Sequence, residues 1–153
     1  MTNTVLIIGL LAVTVTGLYS WQATVVVRQQ ANEPTRLVSE LRLAQVAGLL
    51  LVLVAGAYLG TAASMPAHPG AALDATLALA FLAAGVASLT REPREALTIV
   101  AVAFVAHAVV DVLHRPGGLT DGAVPAWYVI GCGVQNLWTA ALTFLPVLGR
   151  RLG

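Results

Sequence analysis

Two histidines and one aspartate lie close together in the second half of the chain, at His107, Asp111 and His114. The whole sequence of 153 residues has three histidines, so this is a marked local concentration. The i,i+4 and i,i+3 spacings place the three side chains within about 60° of one another on an α-helix, as one polar stripe. Imidazole and carboxylate groups bind divalent metals such as zinc, and together they can also transfer protons. The stripe is therefore a candidate site for metal binding or for acid–base chemistry.

Helical spacing limits how this stripe could bind a metal ion. His107 and His114 are two turns apart, about 10 Å along the helix, so their imidazoles do not readily meet at one ion with bonds of about 2.1 Å. One histidine combined with Asp111 is the more natural pair of ligands. The Asp111–His114 spacing resembles the Glu-x-x-His pairs of carboxylate metal sites in helical bundles. The remaining ligands would come from elsewhere in the chain.

Two other interpretations of the stripe stay open. His107 and Asp111 are candidate catalytic residues if they move a proton on a substrate that enters from the bilayer. In a purely structural interpretation, His107 bonds to a neighbouring helix and His114 reaches the membrane surface. Asp111 then pairs with Arg115, at the favourable i,i+4 spacing. This last interpretation describes a non-enzymatic membrane subunit or assembly partner.

The composition places these residues in a membrane protein. Hydrophobic residues make up 58% of the chain and charged residues 10%, whereas a soluble domain carries about 25% charged residues. A net charge of +1 and the lack of a basic, aromatic-rich stretch argue against a nucleic-acid partner. The sequence contains no lysine, which excludes Schiff-base and phosphate-loop lysine chemistry. Cys132 is the single cysteine, so no disulfide forms within the chain.

The hydrophobic segments predict an all-α integral membrane bundle, with the whole chain 1–153 as one domain. A spanning helix needs about 20 mainly apolar residues, and five segments meet this requirement between stretches of charge, proline and glycine. The predicted spans are approximately 4–27, 41–63, 72–89, 96–114 and 125–148.

The arginines predict the orientation of this bundle. With five spans, the first loop, the third loop and the C-terminal tail share one side and contain seven of the eight arginines; Arg115 is the exception. The positive-inside rule then places the N-terminus outside and the C-terminus in the cytoplasm. The Ala-, Val-, Leu-, Gly- and Arg-rich composition indicates a bacterial cytoplasmic membrane. The lipid bilayer is the expected partner, and a homo-oligomer or a membrane-protein partner stays open.

In this orientation all three histidines lie in the outer half of the protein. His68 in the second loop and Asp74 just after it are therefore predicted as further metal ligands. Tyr128, Cys132 and Gln135 form one semi-polar face of span five at i, i+4 and i+7. A short connection makes spans four and five antiparallel neighbours, so this face is predicted to line a pocket with the stripe. Cys132 is a weaker candidate ligand.

The pattern around this site resembles a group of small bacterial multi-pass membrane proteins. The resemblance covers about a fifth of the chain and rests on a His-x3-Asp-x2-His stretch followed by Pro-x-Trp-x4-Cys, at His107, Asp111, His114, Pro125, Trp127 and Cys132. It implies no particular activity. The group has an acidic residue a few positions after the cysteine, where this chain has Gln135 or Asn136. If that acid is a ligand, the difference weakens a metal site here.

Overall fold

The computed structural model describes residues 2–29, 34–114 and 126–149. These parts of the chain form five α-helices and contain no strand, which confirms the all-helical prediction. The helices are α1 (Thr2–Arg28), α2 (Pro34–Ser64), α3 (Ala71–Ser88), α4 (Pro93–Leu113) and α5 (Ala126–Gly149).

Four of the five helices contain a segment that is long and apolar enough to cross a membrane: Gly9–Arg28, Pro34–Ser64, Ala71–Ser88 and Pro93–Leu113. The helix α5 is 24 residues long, but it carries Gln135 and Asn136 near its middle. The helix α2 begins at Pro34 rather than near residue 41. Proline suits the first turn of a helix, because the missing N–H has no intrahelical partner there. The helix is therefore longer than the predicted span, and the added first turns, before residue 41, contain polar residues.

The helices pack as one bundle in which α2 and α4 occupy the centre. The helix α2 contacts all four others, α4 contacts α2, α3 and α5, and α1 lies against α5 and α2. Their shared core is apolar and includes Leu43, Leu51, Leu97, Val100 and Phe104. Many other large apolar side chains point outward, among them Leu10, Val13, Leu53, Val102 and Ile130. An outer surface of this kind is suited to contact with lipid.

The closest approach between α2 and α3 depends on two glycines. A Cβ atom added at Gly85 would lie 3.0 Å from the carbonyl oxygen of Gly48 and 2.8 Å from Cγ2 of Val52. A Cβ added at Gly48 would lie 2.5 Å from the Ser88 hydroxyl oxygen. Small residues permit such backbone contact between helices in membranes. This contact fixes how α3 lies against α2, and so where the side chains of α3 meet those of α4.

A buried arginine joins three helices at the opposite end of α2 from Tyr58. Arg36 donates from Nε to Oε1 of Glu40 at 2.9 Å, and both side chains are about 95% buried. Its Nη1 donates to the carbonyl oxygen of Gln29 at 2.9 Å, just after α1, and its Nη2 to that of Pro146 in α5 at 3.4 Å. Both carbonyls lie at helix C-terminal ends, where a positive charge is favourable. Arg36 therefore ties the ends of α1 and α5 to the start of α2.

The buried Arg36–Glu40 pair has an exposed counterpart of the same type and spacing, Arg91–Glu95, at 3.3 Å. We expect Arg36→Ala to lower the free energy of unfolding by about 3–5 kcal/mol, because it removes the arginine from a buried carboxylate. Arg91→Ala should change it by less than about 1 kcal/mol, because that pair is solvated. Denaturant titration of both variants in the same micelles, followed by circular dichroism, checks this. Equal losses of stability in the two variants would contradict the role of Arg36 in joining α1, α2 and α5.

Candidate metal centre

The polar stripe of α4 faces the interior of the bundle. His107 is 1% exposed and Asp111 is 0% exposed. On the other side of the same helix, Val105, Val109 and Val112 are exposed. A helix with polar groups inside and valines outside fits a membrane, where ionisable side chains turn toward the bundle core. The helix thus delivers the imidazole and the carboxylate to its neighbours α2, α3 and α5.

The Asp111 carboxylate accepts hydrogen bonds from two other helices. The Tyr58 hydroxyl on α2 donates to Oδ1, and the Asn136 amide on α5 donates from Nδ2 to Oδ2 at 2.8 Å. Burying a carboxylate is unfavourable unless such donors replace water. Asp111 therefore binds α2 and α5 to α4.

The His107 imidazole lies beside the carboxylate in an aromatic environment. Its Nδ1 is 2.9 Å from Nδ2 of Asn136 and 3.3 Å from Oδ2 of Asp111. An amide nitrogen has two hydrogens, so Asn136 can donate to both groups at once. In the tautomer with its ring proton on Nε2, His107 Nδ1 accepts one of these hydrogen bonds. The rings of Tyr58 and Phe81 hold the imidazole, with centroid distances of 4.9 and 4.7 Å.

Cys132 completes a group of residues with metal-ligand chemistry. One ligand atom each from His107, Asp111 and Cys132 can be chosen so that all three lie within 4.8 Å of one another. The thiol also accepts from Asn136 Nδ2, at 3.5 Å. Imidazole nitrogen, carboxylate oxygen and thiolate sulfur are the three donor types that zinc uses in proteins. The structure thus brings His107 and Asp111 of the stripe together with Cys132, the weaker candidate ligand of the sequence prediction.

His114 points away from this group and pairs with Asp74 instead. Its Nε2 lies 2.6 Å from Oδ1 of Asp74 on α3, and its Nδ1 lies 2.7 Å from the carbonyl oxygen of Val110. A carbonyl can only accept, so Nδ1 carries a proton. The Tyr58 ring lies between the two histidines, with its centroid 5.9 Å from that of His114. The predicted ligands His114 and Asp74 therefore form a second polar pair of their own.

The structure places two further predicted residues away from the group around Asp111. His68 lies in the turn between α2 and α3, where its Nδ1 accepts from the backbone N–H of Gly70 at 3.3 Å. Gln135 faces α1 and accepts from the Thr16 hydroxyl at 2.7 Å. The side chain of Tyr128 and the whole of Arg115, proposed as partner of Asp111, lie outside the described residues.

Sequence reasoning did not assign roles to two residues at the centre of the site, Tyr58 and Asn136. Each gives a signal that could have been used. Tyr58 lies within an apolar span rather than at its end, where an aromatic belt would place a tyrosine. Asn136 is a strongly polar side chain deep in a long helix, and it is 1% exposed. Polar groups buried in helices need hydrogen-bond partners in the bundle.

Comparison with protein-family models, with curated proteins and with solved structures finds no match to this chain. The interpretation of the site therefore rests on its geometry and chemistry.

The charge on Asp111 can be tested with two buried tyrosines. Tyr58→Phe removes a donor to a carboxylate, and we expect it to lower the free energy of unfolding by about 1.5–3 kcal/mol. Tyr19 bonds instead to the neutral hydroxyl of Thr143 at 2.6 Å, so Tyr19→Phe should cost about 0.5–1.5 kcal/mol. Chemical denaturation of the two variants in one detergent gives the comparison. A smaller loss for Tyr58→Phe than for Tyr19→Phe would argue against an ionised Asp111.

Proposed function

We propose that this chain is a membrane protein of five spanning helices that binds one divalent metal ion, of the zinc type, through His107, Asp111 and Cys132. The observation that carries the proposal is the position of the Asn136 amide nitrogen. It lies 2.8–3.5 Å from a ligand atom of each of these three residues, so three acceptors converge on one point between α4 and α5.

The chemistry of the three groups at this point favours a cation. Imidazole nitrogen, carboxylate oxygen and thiolate sulfur all bind zinc, and here one atom of each can be chosen within 4.8 Å of the others. An ionised Asp111 also places a negative charge in a buried position, and within residues 2–29, 34–114 and 126–149 no arginine is paired with it. A charged aspartate is unfavourable by about 2.5–3.5 kcal/mol at the centre of a membrane helix and by less toward its end, where Asp111 lies on α4. A divalent ion would bind all three acceptors and neutralise the carboxylate.

Burial limits the size of the ligand. His107 and Asp111 are almost completely covered, so a single ion needs only a small local change in the site, whereas a lipid-sized molecule needs the helices to separate. The proposal accordingly concerns metal binding. Proton transfer by His107 and Asp111 on a membrane-embedded substrate would require the helices to open, and it remains a separate hypothesis.

A second function is favoured by a different observation. The polar side chains of the site are all hydrogen bonded, and within the described parts of the chain the buried side-chain polar atom without a partner is Oε1 of Gln29, outside the site. A fully bonded network can serve packing alone, as in a non-enzymatic membrane subunit or assembly partner. Binding measurements separate this structural function from metal binding.

The membrane topology belongs to the same proposal. The arginine distribution supports five spans with the N-terminus outside and the C-terminus in the cytoplasm of a bacterial cell. The helix α5 packs against α4 and α1. Two hydrogen bonds satisfy polar groups along the contact with α1: Thr16 of α1 donates to Gln135 of α5, and Trp138 of α5 donates to Ser20 of α1. Internal pairing of this kind lets a helix with polar residues cross a bilayer.

Metal analysis tests the binding site directly. The protein purified after growth with zinc should contain about one zinc per chain, and His107→Ala, Asp111→Ala and Cys132→Ser should each reduce this to background. His68→Ala is the matched control and should keep its zinc. With cobalt in place of zinc, the wild type and His68→Ala should both show a sulfur-to-cobalt absorption band, because Cys132 is a ligand in both. Metal-free wild-type protein of normal stability would favour the packing function.

Topology can be tested by labelling single cysteines in a Cys132→Ser background. In intact cells, a membrane-impermeant maleimide should react with Ser64→Cys, at the end of α2. It should react with Glu92→Cys, before α4, and with Gly149→Cys, at the end of α5, only after permeabilisation. Labelling of Gly149→Cys in intact cells would show that α5 does not cross the membrane.

A further inference from the structure

The side chain of Asn136 lies where an ion would have to lie. Its Nδ2 is 2.8 Å from Oδ2 of Asp111, 2.9 Å from Nδ1 of His107 and 3.5 Å from Sγ of Cys132. Zinc bonds to nitrogen, oxygen and sulfur are about 2.0–2.3 Å long. An ion bound to all three atoms must therefore take the place between them that the amide nitrogen now fills.

We propose that Asn136 is a displaceable occupant of the metal site, which holds the ligands in place without metal and lowers the affinity for metal. This inference rests on the proposed function. The amide carries the partial positive charge of two N–H groups to three acceptors, and so replaces part of what a cation supplies. Because it is uncharged, it does so without adding a net charge to the bundle. Metal binding then requires the amide to leave.

Gln135, the amide residue just before Asn136 on α5, shows that only one of the two neighbouring amides faces the ligands. Gln135 accepts from Thr16 on α1 at 2.7 Å, and its Nε2 donates to Thr139 one turn later on α5 at 3.3 Å. Asn136, one residue later, is 1% exposed and directed to α4. Of these two adjacent amides, the one on the α4 side competes with a metal ion. Gln135→Ala is accordingly the matched control for Asn136→Ala.

Affinity measurements on four proteins test the inference. We expect Asn136→Ala to bind zinc about tenfold more tightly than the wild type, because no hydrogen bonds to the amide have to be broken. Gln135→Ala should bind as the wild type does. Asn136→Leu should lose zinc binding, because the leucine side chain still fills the place between the three ligands. Being apolar, it gains no hydrogen bonds elsewhere that would favour its moving out. Competition with a chromophoric chelator in detergent gives all four affinities.

Two further measurements keep the test decisive if Asn136→Ala is unstable. Asn136→Ser shortens the side chain with less loss of polarity and should also bind zinc more tightly than the wild type. In the wild type, the side-chain amide resonances of Asn136 should shift on zinc addition, whereas those of Gln135 should not.

The outcomes distinguish this inference from the metal site itself. If the wild type binds zinc and Asn136→Ala and Asn136→Ser bind it equally well or more weakly, Asn136 does not compete with metal, and the inference is overturned while the site stands. If neither the wild type nor any Asn136 variant binds zinc, both proposals are wrong.

Discussion

The carboxylate of Asp111 imposes the strongest constraint on this bundle. It is completely buried in a helix whose outer face is apolar, so hydrogen-bond donors must come from other helices. Tyr58 on α2 and Asn136 on α5 supply them. Neither donor can reach the carboxylate unless α2 and α5 lie on defined sides of α4 at a defined depth. One buried carboxyl group thus constrains the relative rotation and height of three helices.

Apolar packing alone would not determine this arrangement, because lipid tails compete equally well for apolar side chains. The bundle instead combines hydrogen bonds with one close backbone contact. Arg36 joins α1, α2 and α5 at one end, and the group around Asp111 joins α2, α4 and α5 nearer the other. Between these two ends, Gly48 and Gly85 bring α2 and α3 into direct contact. These features specify one packing among the many that an apolar surface permits.

What the sequence predicts and what it misses follow from this difference between apolar packing and specific contacts between helices. Hydropathy and helical periodicity are properties of single segments, so they predict the helices and place His107 and Asp111 on one face. Which residues of other helices meet that face depends on how the helices are rotated about their axes. Gln135 and Asn136 illustrate this point, because adjacent residues differ by about 100° in direction and only a structure shows which one faces α4. His68 shows the converse: it is predicted to share a side of the membrane with Asp111, yet it bonds within the turn between α2 and α3 instead.

The same constraint explains why a packing network and a metal site can resemble each other here. Ligand residues placed inside a membrane bundle lack water when no ion is bound, so their polar atoms must be bonded by something else. A network that satisfies His107, Asp111 and Cys132 without metal is therefore expected at a metal site, as well as at a structural one. What separates the two is the chemistry of the groups that meet. A network built for packing alone has no need to combine an imidazole nitrogen, a carboxylate oxygen and a thiol sulfur within 4.8 Å of one another, whereas a site that exchanges an amide for a zinc ion does.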